Sequence, residues 1–169
     1  MPPGLERLRR AFANEAADGV PAHLTLLYPF VDPTELTPAI RRSVAGVARR
    51  HAPFAFTLLG MAVWPDTVYV AVEPTGPFQT LQRDLQAAFP AYPIYGRDAT
   101  FRFVPHVTVA EGSALAHPAV KDSPAWAGLP VRRRATAVEA IARGLEGRWR
   151  TVWRIRLGGR DGAVDRMPP

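Results

Sequence analysis

Apolar residues recur along the chain with two periods, and their order predicts alternating helices and strands. Leu5, Leu8, Phe12 and Ala16 lie three or four apart within residues 4–17, the spacing of an amphipathic helix, and Asp18-Gly19 stops it. His23 to Tyr28 (HLTLLY) has strand composition between Pro21 and Pro29. Leu36, Ile40, Val44 and Val47 stripe a second helix from Thr34 to Arg50, which Thr34 or Thr37 can cap. Phe54 to Trp64 and Thr67 to Glu73 read as two strands of a hairpin turning at Pro65-Asp66.

A connecting helix is predicted from Phe78 to Phe89, followed by a loop from Pro90 to Asp98. The order then begins again: strand Val104–Ala110, a short helix Ser113–Lys121, strand Val131–Ala142, and strand Arg148–Leu157 after a turn at Gly144–Gly147. The last strand of each half lies equally far along, since Val68 is 45 residues after His23 and Val152 is 46 after His106. The pattern predicts a single α+β domain over residues 1–158, built as a duplicated unit. One lobe spans about 20–75 and the other about 100–158, and they face each other. The tail, 159–169, has no period and is expected to be disordered.

Composition narrows the chemistry. The chain has 169 residues, 47% of them apolar, enough for one compact core. Its longest apolar stretch, Ala55 to Trp64, is about half of what a bilayer requires, and the charged start MPPGLERLRR does not read as a signal peptide, so a cytoplasmic protein without membrane contact is expected. The absence of cysteine rules out a thiolate nucleophile and any cysteine metal site. The net charge of +6 is concentrated in residues 131–160, which hold nine arginines against Glu139 and Glu146. Arginine's planar fork suits phosphate, although a solvated basic face accounts for the same bias equally well.

Two tripeptides then stand out: His23-Leu24-Thr25 and His106-Val107-Thr108, each in a predicted strand and each opening one half. On a strand, residues i and i+2 share a face, so each histidine and its threonine point one way, while Leu24, Leu26, Val107 and Val109 enter the core behind them. Opposed lobes would bring two imidazoles and two hydroxyls into one cleft. Displacement at a phosphodiester needs a base for the attacking oxygen and an acid for the leaving oxygen, and histidine serves as either near neutral pH. Threonine hydroxyls can donate to the non-bridging oxygens. The chain lacks the clustered carboxylates and histidines of a two-metal site, so no metal and no cofactor are expected. His51, ending a helix, and His117, before Pro118, lack the pattern and read as structural.

The segments PAHLTLLYPF and FVPHVTVAEG, with the closing strand RWRTVWRIRL, resemble the 2H phosphoesterase superfamily, in particular its 2′-5′ RNA ligase-like and cyclic phosphodiesterase members. The resemblance runs from Leu5 to Leu157. It implies a bilobal α+β fold with two antiparallel sheets lining a central cleft and helices outside. It implies metal-independent action on 2′,3′-cyclic phosphates or 2′-5′ linkages, with His23 and His106 catalytic and Thr25 and Thr108 binding phosphate. It also makes His106 the general base and His23 the acid. Such proteins usually begin with an aliphatic strand before the first helix, and residues 1–3 here cannot supply one.

Parity adds substrate contacts. In the last strand Thr151, Trp153, Ile155 and Leu157 form an apolar face that must meet helices, which puts Arg150, Arg154 and Arg156 on the cleft side, where a phosphate or RNA backbone could meet them. Val68, Val70 and Val72 are core by the same reasoning, which turns Tyr69 toward the cleft as a surface for base stacking. Tyr95, Phe30 and Phe103 are weaker candidates from loops and strand ends. The expected substrate is RNA or a nucleotide with a 2′,3′-cyclic phosphate, acted on by a monomer. The competing reading is a non-catalytic RNA or nucleotide binder that uses the basic C-terminal half.

Overall fold

The computed structural model describes residues 1–98, 100–112 and 117–159. The first helical stripe divides at Ala13, whose extended backbone separates α1 (Pro3–Phe12) from α2 (Asn14–Ala17). Glu6 in the first turn of α1 pairs with Arg9 at 3.0 Å, and buried Arg9 also donates to the Val20 carbonyl, tying the helix to the chain that leads into the first histidine motif. The second stripe opens with a 3-10 turn at Pro33–Glu35 and continues as α3 (Pro38–Arg49), where Thr37 accepts from the Ile40 N–H and Pro38 occupies the first turn.

Strands β1 (Phe54–Trp64) and β2 (Thr67–Glu73) form the expected hairpin, and α4 (Gly76–Ala88) follows with Phe78, Leu81 and Leu85 buried. The loop after α4 contains a 3-10 turn at Ile94–Gly96. Next come β3 (His106–Glu111), the short helix α5 (Pro118–Lys121), and a 3-10 turn at Pro124–Gly128. Residues 113–116 of the predicted helix, and 160–169 of the predicted tail, lie outside the described residues. The expected strand from Val131 to Ala142 is interrupted at Thr136 into β4 (Val131–Ala135) and β5 (Ala137–Arg143), and β6 (Trp149–Arg156) closes the chain.

Two antiparallel sheets result: four strands in the order β3-β2-β1-β4, and the pair β5-β6. Their boundary corrects the expectation of lobes built from successive halves. β3 and β4, from the second half, pair with the first-half hairpin, so the strand carrying the second histidine motif completes a sheet begun by β1 and β2. A second correction concerns His23–Tyr28, which forms no strand: the segment has strand composition but takes no ladder partner. β-propensity describes fitness for a pleated, paired surface, and without a neighbour it yields only an irregular segment.

The core has two main parts. Leu5 of α1, Val70 and Val72 of β2, Phe78 of α4, and Val107 and Val109 of β3 pack together behind the larger sheet, with Phe54 and Phe56 edge-on to Phe78. Val44 and Val47 of α3 meet Leu81 and Leu85 of α4 and Leu157 after β6, so the two longer helices back the small sheet. The cleft lies between these supports.

Candidate active site

Each histidine motif is positioned by a different local structure. In the second, β3 pairs with β2 so that Ala71 faces His106, Val70 faces Val107 and Tyr69 faces Thr108. Cross-strand partners share a sheet face, so His106 and Thr108 stand together on the cleft side while Val107 and Val109 are buried on the other. The His106 Nδ1–H donates to the Val104 carbonyl at 2.8 Å, which leaves Nε2 as the nitrogen available for proton transfer. Trp64 meets the imidazole edge-on at 4.7 Å between centroids, and Tyr69 does so at 5.4 Å. Burial holds the His106 pKa below the ordinary histidine value. The Val104 carbonyl opposes that shift, and His23 is near enough for its charge to reinforce it.

The first motif repeats the same device without the strand. His23 Nδ1–H donates to the carbonyl of Pro21, again two residues upstream, at 3.0 Å. Nε2 then accepts from the Thr25 hydroxyl at 3.1 Å. A Glu15 carboxylate oxygen lies 3.9 Å from the same nitrogen.

His23, Thr25, His106 and Thr108 all line one cleft of about 1170 Å³ that runs between the two sheets, and Trp64 and Tyr95 line it beside them. Glu15, Asp66 and Glu111 form an acidic flank. Burial raises the Glu111 pKa, and the carboxylates of Glu15 and Asp66 push it the same way. Gly112, at positive φ, donates its N–H to the Asp66 carbonyl and so joins the end of β3 to the tip of the β1–β2 hairpin. Among the described residues, no three His, Asp or Glu side chains are grouped to hold a metal ion, and no helix is long and apolar enough to cross a membrane.

The expected substrate contacts fare unevenly. Tyr69 has the predicted parity, but it is buried beneath Trp64, 4.1 Å between ring centroids, and does not line the cleft. It supports His106 and offers no open face to a base. In β6 it is Trp153 and Ile155, on the apolar face, that line the cleft; Arg150 and Arg156 are exposed away from it. Arg154 reaches the cleft and is paired with Glu139. Arg150 and Arg156 depart from the predicted placement because the cleft extends inward along the apolar side of the small sheet, whereas Arg154 keeps it. Phe30 packs on Phe89 and Tyr92, and Phe103 is core, whereas Tyr95 does face the site. His51 bonds Asp84 at 2.9 Å and His117 caps α5, both away from the cleft.

Several cleft residues carried no sequence signal that parity or motif spacing used. Arg97 and Arg102 come from the loop before β3, and Glu15 comes from α2. Trp64 was legible in principle, since it pairs with Thr67, which shares a face with Tyr69.

A family model described as the 2′-5′ RNA ligase superfamily matches residues 2–145. Among solved structures, TT0787 of Thermus thermophilus aligns with a TM-score of 0.57 and 23% identity, over 91% of this chain and 93% of that one. Escherichia coli LigT, crystallised with 3′-AMP, aligns with a TM-score of 0.49 and 18% identity, over 90% of this chain and 92% of that one. No curated protein matches the chain in sequence.

Proposed function

The chain belongs to the 2′-5′ RNA ligase superfamily, and from that premise we propose that it is a metal-independent phosphodiesterase opening 2′,3′-cyclic phosphates of nucleotides or RNA ends. The observation that carries the reading is the repeated anchoring of the two imidazoles. Both spend Nδ1–H on a carbonyl two residues upstream and keep Nε2 for chemistry, in one cleft, each with a threonine two residues on. That arrangement suits one acid and one base acting on opposite oxygens of a single phosphorus.

In the forward direction, His106 Nε2 takes a proton from water as the water oxygen bonds to phosphorus. His23, protonated on Nε2, donates to the ribose oxygen whose bond to phosphorus breaks, and a phosphomonoester with a free hydroxyl results. The lowered pKa of His106 keeps it unprotonated at neutral pH, as a base must be. Thr25 and Thr108 donate to the non-bridging oxygens as charge builds there. With an RNA 5′-hydroxyl in place of water, the same groups join ends through a 2′-5′ bond: His106 takes the proton of the 5′-hydroxyl as its oxygen bonds to phosphorus, and His23 protonates the ribose 3′-oxygen that leaves.

The test is incubation in EDTA with each of the four nucleoside 2′,3′-cyclic phosphates, following monoester formation by wild type, His23→Ala and His106→Ala. Turnover in wild type that both substitutions abolish supports the reading. Retained substrate binding with no turnover in any variant, on the mononucleotides or on RNA with a cyclic-phosphate end, overturns it in favour of a phosphate-binding module.

A further inference from the structure

Among the described residues six arginines line the cleft, and the protein engages four of them. Arg9 is paired with Glu6, Arg143 with Asp18 and Arg154 with Glu139, while Arg134 donates to the Pro53 carbonyl. Arg97 and Arg102 differ. Both are exposed, and among the described residues neither guanidinium has an ion pair or a hydrogen bond. The Asp98 carboxylate beside Arg97 accepts from the Thr100 N–H and hydroxyl, so Arg97 meets it only as a nearby charge. Two guanidinium forks are therefore left for an anion, and their planar donors suit a phosphate.

The loop that carries them also displays aromatic rings. Tyr95 and Phe101 are 36% and 39% exposed, Tyr28 is 46% exposed, and all three line the cleft. The Tyr95 and Phe101 rings stand edge-on, 84° apart with centroids at 6.1 Å, so a base laid flat on one meets the other with its edge. Tyr95 sits at φ 54° and ψ 24°, a left-handed backbone that glycine or asparagine adopts with less strain. Its turn is braced: the Ile94 N–H donates to the Gln86 side-chain oxygen at 3.0 Å, and the Tyr95 N–H to the Tyr28 carbonyl at 2.5 Å. The patch is continuous with the histidine motifs. Val104, two residues after Arg102, accepts from His106 Nδ1–H, and Tyr28 lies three residues after Thr25.

The geometry points to a landing for single-stranded RNA, in which the nucleotide preceding the cyclic phosphate sets its base in the Tyr95–Phe101 corner and upstream phosphates meet Arg97 and Arg102. Glu15, Asp66 and Glu111 disfavour a phosphate backbone on their flank, which directs the RNA chain to the arginine loop. Neither contact reads sequence, because every base has a π-face and every phosphate is alike. The substrate class is thus narrowed to RNA ends of any sequence, in preference to free cyclic mononucleotides. As a statement about turnover this rests on the phosphodiesterase reading; as a statement about binding it does not.

Initial rates on adenosine 2′,3′-cyclic phosphate and on a pentaadenylate ending in a 2′,3′-cyclic phosphate test the landing. Wild type should favour the oligonucleotide at least about tenfold in kcat/KM, chiefly through KM. Arg97→Ala with Arg102→Ala, or Phe101→Ala alone, should cut that preference at least about threefold, and uracil in place of the upstream adenines should alter it less than about fivefold. Equal kcat/KM on the two substrates, a preference that survives both variants, or a larger dependence on base identity would overturn the proposal. Binding of a labelled pentaadenylate 3′-monophosphate, read by fluorescence anisotropy, requires no turnover. The slope of log Kd against log salt concentration should flatten by about 1.4 in the double arginine variant, two phosphate contacts at about 0.7 each, and an unchanged slope would overturn the arginine contacts. If wild type opens neither cyclic phosphate, the phosphodiesterase reading falls, while the salt slope still decides the landing.

Discussion

The two histidine motifs differ in what holds them. His106 and Thr108 stand on β3, hydrogen-bonded along β2, with Val107 and Val109 buried behind them against Leu5 and Val70. His23 and Thr25 lie on a stretch with no ladder partner, over Leu24 and Leu26, which are only partly buried. Yet both imidazoles use the same anchor, which leaves the same nitrogen, Nε2, to face the cleft chemistry. The pair shows that a catalytic geometry can be set by a sheet in one place and by side-chain hydrogen bonds in another. The sheet-borne half is insulated by packing, and the loop-borne half depends on a few contacts to Pro21, Thr25, Glu15 and Tyr95.

The comparison breaks first if the motifs are unequal in chemistry. Either His23→Ala or His106→Ala should lower kcat by roughly 10²- to 10⁴-fold, the range for a general acid or base, with melting temperature monitored as a control for folding. A large loss for only one of them would mean that the support difference carries over into function.

Stability should separate the two regions next. Leu5→Ala removes a fully buried side chain behind β3 and should cost about 2–5 kcal/mol in urea unfolding, whereas Leu24→Ala, in partly buried surroundings, should cost below about 2 kcal/mol. Equal costs would deny that the second motif is the better packed. In native-state exchange, the β3 amides that bond β2 should be protected at least about tenfold more than those of 22–27, because only the former belong to a ladder.

How much of this was legible beforehand depended on whether the deciding interaction was local. The i, i+2 spacing found both histidine–threonine pairs, and helical stripes found α1, α3 and α4, because those signals sit within a few residues. HLTLLY has the composition of a strand and failed to become one because pairing needs a neighbour elsewhere in the chain. Likewise Thr136 hands the chain from one sheet to the other inside what reads as one continuous strand. Tyr69 was turned to the correct face, yet Trp64 from the hairpin partner covers it. Tyr95 was visible as a loop aromatic, but the anchoring of its turn through Gln86 and the bond from its N–H to the Tyr28 carbonyl exist only in three dimensions.

The smallest effect expected is on the pH dependence of folding. His106 has its folded-state pKa depressed below the ordinary value of 6.5, so the unfolded chain binds its proton more readily. The associated stability is present above pH 6.5 and is lost as pH falls through the folded-state pKa. Melting temperature measured from pH 7.5 to 5 should therefore fall less in His106→Asn than in wild type, and identical slopes would contradict the burial effect.

The most direct test of the central claim, that two unlike supports deliver one acid–base pair, is the pH–rate profile of wild type on a 2′,3′-cyclic nucleotide in EDTA between pH 5 and 9. A bell is predicted: the acidic limb records protonation of His106, the base held below the ordinary histidine range, and the basic limb records loss of the acid's proton. A rate that rises or falls monotonically across that window would contradict paired action by His23 and His106.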